Sequence, residues 1–115
     1  MAIYNFTIPQ GASLSLPITL KDADDNVINL TGYSVAMQIR KQKTASFAVD
    51  TLTTANSRIT LAPAQGKFTL VFPHSVTEDF PSGRLVYDVE ITSGDDERTR
   101  ILEGVITVTP EVTRV

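Results

Sequence analysis

The chain has 115 residues, 42% of them apolar and 20% charged, and a net charge of −3, which suits one folded domain with its own core and argues against disorder. It contains no cysteine, so disulfides, thiolate metal sites and thiol nucleophiles are excluded. Its Lys and Arg residues are scattered, densest at Arg40, Lys41 and Lys43, whereas a nucleic-acid partner calls for clustered positive charge.

The opening MAIYNFTI has neither the basic start nor the long apolar stretch of a signal peptide. No later apolar run approaches the roughly 20 residues that span a bilayer. No membrane partner is expected. Tyr4, Phe6 and Ile8 suggest a first strand that ends at Pro9, and Gln10-Gly11 allows a bend. Leu14, Leu16, Ile18 and Leu20 then alternate with Ser13, Ser15, Pro17 and Thr19. Side chains on a strand point to opposite faces in turn, so this period of two predicts a strand with one buried face. Pro17 cannot donate to a ladder, which places it on an edge or at a bulge.

Asp22-Ala-Asp-Asp-Asn26 reads as a hairpin tip, since Asp and Asn tolerate tight-turn backbone angles. A calcium loop of the EF-hand kind fails here, because Val27 and Tyr33 stand where Gly and Glu are required. Thr31-Gly32 turns the chain into a strand of Tyr33, Val35, Met37 and Ile39. Residues 42–56 read as a loop with a short strand around Phe47–Leu52. Ile59 and Leu61 alternate briefly, Pro63-Ala-Gln-Gly66 forms a turn, and Phe68, Leu70 and Phe72 alternate again.

Ser75-Val-Thr-Glu78 has the spacing of a capping box, and Pro81 with Gly83 stops the helix after a turn or two. Leu85, Tyr87, Val89 and Ile91 form the longest alternating run. Ser93-Gly-Asp-Asp-Glu-Arg98 closes a hairpin into residues Thr99–Thr109. That last segment is apolar on both sides, with Ile101 and Val105 on one and Leu102, Ile106 and Val108 on the other. Such a strand is either covered twice or lies against a partner. The pattern as a whole predicts one all-β domain over residues 1–115, an immunoglobulin-like antiparallel β-sandwich of about seven to nine strands with one short helical turn.

Chemistry is sparse. His74 is the sole histidine, without the ligands or the nucleophile and orienting acid that a zinc site or triad needs. Asp88 and Glu90 face outward on one strand, and Arg98 and Arg100 begin the next, an arrangement suited to setting register by cross-strand attraction. With no tryptophan and three tyrosines a sugar platform has little support, and no phosphate-binding glycine loop occurs. The expectation is a protein that is not an enzyme, with no catalytic residues, no metal, no cofactor and no small-molecule substrate.

The succession IPQGASLSLPITLKDADDNVINLTGYSVAMQIRK, LTTANSRITLAPAQGKFTLVFP, SVTEDFPSGRLVYDVEI and RTRILEGVITVTPEVTR resembles a small bacteriophage virion protein. It is similar to the immunoglobulin-like N-terminal domain of phage baseplate upper proteins and to stand-alone tail proteins of that build. The pieces that carry the likeness are Leu30-Thr-Gly-Tyr33, Pro81-Ser-Gly-Arg-Leu-Val-Tyr-Asp88 and Leu102-Glu-Gly-Val-Ile-Thr-Val-Thr-Pro-Glu111. The helical stalk that follows this domain in baseplate proteins has no counterpart before Val115, so trimerisation by a stalk does not carry over.

The resemblance implies a virion location after synthesis in the host cytoplasm. It implies a structural or adaptor role at tail, baseplate or fibre attachment, with other phage structural proteins as partners and a homo-oligomer within the particle. A host-surface glycan or receptor module and a capsid decoration protein are the alternatives. Candidate contact residues are Tyr4, Phe6 and Ile8 in the first strand, Pro17 at an edge, and Ile101, Leu102, Val105, Ile106 and Val108 in the last strand.

Overall fold

A computed structural model describes residues 2–113; the outermost positions of the expected domain, Met1, Arg114 and Val115, lie outside them. Among the described residues nine strands are formed: β1 (Ala2–Ile3), β2 (Phe6–Pro9), β3 (Leu14–Thr19), β4 (Ser34–Arg40), β5 (Asp50–Thr53), β6 (Ile59–Ala62), β7 (Lys67–Phe72), β8 (Gly83–Thr92) and β9 (Arg98–Thr109). A 3₁₀ turn over Pro63–Gln65 joins β6 to β7, and helix α1 (His74–Thr77) joins β7 to β8. The larger sheet runs β1-β9-β8-β4-β5, with β2 also paired to β9, and the smaller runs β3-β7-β6. The two sheets pack face to face around one core as an all-β sandwich.

The alternating runs land as their spacing requires. Val35, Met37 and Ile39 of β4, Phe68, Leu70 and Phe72 of β7, and Leu85, Tyr87 and Val89 of β8 are all buried, while their odd-numbered or even-numbered neighbours face out. Each such side chain contributes on the order of 1.5–3 kcal/mol by leaving water. The residues of β3 alternate too, but Leu14, Leu16 and Ile18 are only half-buried, because β3 is an edge. Pro17 sits exposed on that edge strand, opposite Thr69, as its missing N–H demands.

Four expectations need correction. The sheet is not wholly antiparallel, since β1 and β2 run parallel to β9, with Ala2 beside Leu102 and Phe6 beside Ile106. The first strand is two pieces, because Tyr4 and Asn5 leave the ladder at Gly104, where an added Cβ would stand 1.9 Å from the Tyr4 carbonyl oxygen. Only glycine admits that backbone approach. The short strand in the 42–56 loop is Asp50–Thr53 rather than Phe47–Leu52, since the chain first meets β4 where the Val49 amide donates to the Ile39 carbonyl at 2.6 Å.

The fourth correction concerns the helix. It begins two residues earlier than a capping box at Ser75 would set it, with Pro73 as N-cap and no side-chain cap. Ser75 is exposed inside the helix. The turn is fastened instead by the Pro73 carbonyl, which accepts from the Val76 and Thr77 amides, and by the Thr77 hydroxyl, which donates to the Ala12 carbonyl at 2.8 Å. The 3₁₀ turn at Pro63–Gln65 is a second helical turn where one was expected.

The turn chemistry otherwise holds. Lys21 bridges Val27 across the acidic tip, and the Asp22 carboxylate accepts from the Asp24 and Asn26 amides at 2.9 and 3.0 Å. Gly66 takes φ +62°, and a Cβ there would meet the Ile28 carbonyl oxygen at 2.5 Å. Asp96 likewise turns the β8–β9 hairpin at φ 61°.

Candidate interaction surfaces

The structure separates the nominated contact residues by accessibility. Ile8, Leu102, Ile106 and Val108 belong to the core, so they form no accessible surface. The inner side of β9 is covered by the sandwich itself. Its outer side is mixed: Ile101 and Val105 are half-buried there beside Glu103 and exposed Thr107. Ile101 is the extra residue of a bulge, since Val89 faces Leu102 while Glu90 faces Arg100.

Phe6 is half-buried with its ring 5.4 Å from that of Tyr87 and 5.8 Å from that of Tyr4. Of the nominated aromatics, Tyr4 is the more accessible, at 42%, and Ile3 beside it reaches 73%. Both flank the outer edge of β1 and β2, which carries no ladder among the described residues. The amides of Tyr4 and Gln10 donate inward to the Glu103 and Thr109 carbonyls, each at 2.9 Å. By alternation the Ile3 and Thr7 amides point away from β9.

This edge is held from behind. The Tyr87 hydroxyl donates to the Tyr4 carbonyl, and the Val105 amide donates to the Asn5 side chain at 2.9 Å. Burial raises the Tyr87 phenol well above its ordinary range, with the neighbouring Tyr4 adding to the effect. Tyr87 therefore stays a neutral donor.

The outer face of the larger sheet is a charged ladder around an open concavity of about 260 Å³. Arg98 pairs with Glu90 at 3.7 Å, Arg100 with Asp88 at 3.5 Å, and Lys43 with Glu103 at 3.7 Å. The bonds run diagonally, because Asp88 directly faces Glu103 and Glu90 faces Arg100. These charges satisfy one another.

His74 and Ser75 are both exposed at the start of α1. Among the described residues, no group of three or more His, Cys, Asp or Glu side chains converges to hold a metal, and no helix is long and apolar enough to cross a membrane.

Two features escaped the sequence. Phe47, in the loop between β4 and β5, is 86% exposed; an aromatic with no alternating partners, in Ala45-Ser-Phe-Ala48, was its only signal. Arg58 and Asp50 form a double hydrogen bond at 2.7 and 3.2 Å with side chains 17% and 12% exposed. Nothing in their spacing announces it.

With the geometry in place, comparison with known proteins adds little. No family model matches the chain, and no curated protein matches it. Among solved structures, the crystal structure of CopC from Methylosinus trichosporium OB3b is similar at a TM-score of 0.42 and 14% identity, over 89% of this chain and 100% of that one. The class that the fold itself defines is the all-β sandwich.

Proposed function

We propose that this domain is a structural or adaptor component of a bacteriophage particle, at the tail, baseplate or fibre attachment, and that it acts by protein–protein contact rather than catalysis. The observation that carries the contact reading is the free edge of β1 and β2, with Ile3 and Tyr4 exposed beside it.

Open strand edges invite pairing, and folded proteins usually blunt them. Here β3 is blunted by Pro17, and β5 and β6 are only four residues each. The N-terminal edge is also built of short pieces, β1 of two residues and β2 of four ending at Pro9, but the two follow one another along β9 and leave Ile3 exposed beside it. A neighbouring subunit that adds a strand there gains main-chain hydrogen bonds and covers Ile3, the recognition mode known as β-augmentation. The phage setting rests on the resemblance of the chain to baseplate upper proteins.

Quantitative mass spectrometry of purified particles tests the reading. The expected result is a fixed copy number in simple ratio to the tail proteins. Absence of the chain from complete particles, or turnover of a small molecule by the isolated chain, would overturn it.

A further inference from the structure

No charged side chain precedes Lys21 in the sequence, so β1 and β2 lack the charges that usually keep sheet edges apart. Glu103, beside Ile3 on the next strand, is held by Lys43 at 3.7 Å. Along this edge Ile3 and Thr7 turn their N–H and C=O groups away from β9. Pro9, with the same orientation, has no N–H to offer. Tyr4 and Phe6 alternate with them and stack 5.8 Å apart at the seam between the sheets, where Phe6 reaches Phe72 at 6.3 Å. Tyr4 is exposed there and Phe6 half-buried.

This set of groups is self-complementary. An antiparallel copy related by a two-fold axis beside Asn5 sets Ile3 against Thr7 of the copy, and Thr7 against its Ile3. Each such pair can exchange two main-chain hydrogen bonds, about four in all. The same register sets Tyr4 against Phe6 of the copy, twice over, and leaves Pro9 outside the ladder. Aromatic pairs and pairs of β-branched side chains are the cross-strand contacts that stabilise sheets. A slip of two residues towards Pro9 would set Ile3 against it and lose a donor.

We propose that the chain dimerises with a second copy through the β1–β2 edge, joining the two larger sheets into one about a two-fold axis. The occupant is a second copy because one register matches donors, acceptors and apolar side chains on both sides without bringing like charges together. A flank about 23 Å long and at most 26 Å deep covers up to about 600 Å² on each copy, the lower end for specific interfaces. The inference rests on the adaptor reading and names the subunit that adds a strand there.

Sedimentation velocity on the full chain, over a concentration series at low and high salt, tests the contact. A monomer–dimer equilibrium is expected, little changed by salt because no ion pair forms across the edge. Ile3→Lys and Thr7→Pro should each weaken it at least about tenfold. Both alter groups that face away from the chain's own sheet, so the dilute variants should melt near the wild type. Cross-linking reads the register, since the chain has no cysteine of its own. A mixture of Ile3→Cys and Thr7→Cys chains, oxidised with diamide, should form disulfide dimers at least about tenfold faster than either alone. Opposed residues lie about 5.5 Å apart at Cα, within disulfide reach.

A wild type that stays monomeric throughout, or a mixture that cross-links no faster than its components, would overturn the proposal. If particles hold the chain in fixed ratio while the isolated chain stays monomeric, the second-copy contact fails and the adaptor reading stands. A chain that dimerises in this register but is absent from particles keeps the contact and overturns the adaptor reading.

Discussion

The two flanks of the sandwich are closed by different chemistry. At the β5–β6 flank an ion pair spans the sheets: Arg58 binds Asp50 through two nitrogens, donates a third bond to the Val71 carbonyl at 2.8 Å, and lies 5.9 Å from the centre of the Phe72 ring. At the β1–β2 flank the closure is neutral, made by the Tyr87 hydroxyl, the Asn5 amide and the close fit of Tyr4 over Gly104. The first flank uses up its polar groups and is finished. The second fastens the strand from inside and leaves its outer edge and Ile3 facing solvent, which is what a docking edge requires.

The comparison breaks most sharply at Arg58. Arg58→Ala strands a largely buried carboxylate, and a loss of about 3 kcal/mol is expected in urea unfolding. Replacing Asp50 and Arg58 together with Leu and Met should cost less than the single change, because no charge is left unpaired. Gly104→Ala should follow at about 2 kcal/mol, the usual penalty for forcing atoms into a filled space. A neutral outcome there would mean that Tyr4 does not depend on the fit.

Tyr87→Phe sharpens the picture at about 1 kcal/mol, since the Tyr4 carbonyl loses its donor. It also changes the response to alkali. The phenol is raised in the folded chain and titrates near 10.0 when unfolded. Its stabilising contribution is therefore fully present below pH 10 and falls as the unfolded chain ionises above it. Unfolding followed against pH should show a steeper alkaline decline in the wild type than in Tyr87→Phe. Arg100→Ala comes last, below about 0.5 kcal/mol, because its bond to Asp88 is open to water and salt.

How much of this the sequence revealed depends on how local each cause is. Alternation placed the inner faces of β4, β7 and β8 correctly because burial on one side imposes a period of two on the chain itself. Pro17 named its own edge through a missing donor. The acidic tip and the Ser93–Arg98 hairpin were legible as turn chemistry. What failed was set by distant partners. Ile8 and Val108 read as strand residues, but their complete burial follows from β2 lying parallel beside β9, a pairing across a hundred residues. Ser75 matched a capping box, yet Pro73 and the distant Ala12 carbonyl fix that turn. The Arg58–Asp50 bond depends on how one sheet sits over the other. Of the candidate surface, Tyr4 was legible as part of an end strand, while Phe47 was hidden in a loop without period.

Hydrogen exchange of the chain free and within its assembly tests the adaptor account most directly. The Ile3 and Thr7 amides, which point away from β9, should exchange fast in the free chain and slow many-fold on assembly, while the core amides of β8 change little. Equal exchange at Ile3 and Thr7 in both states would contradict the claim that this edge is where the domain meets its neighbours.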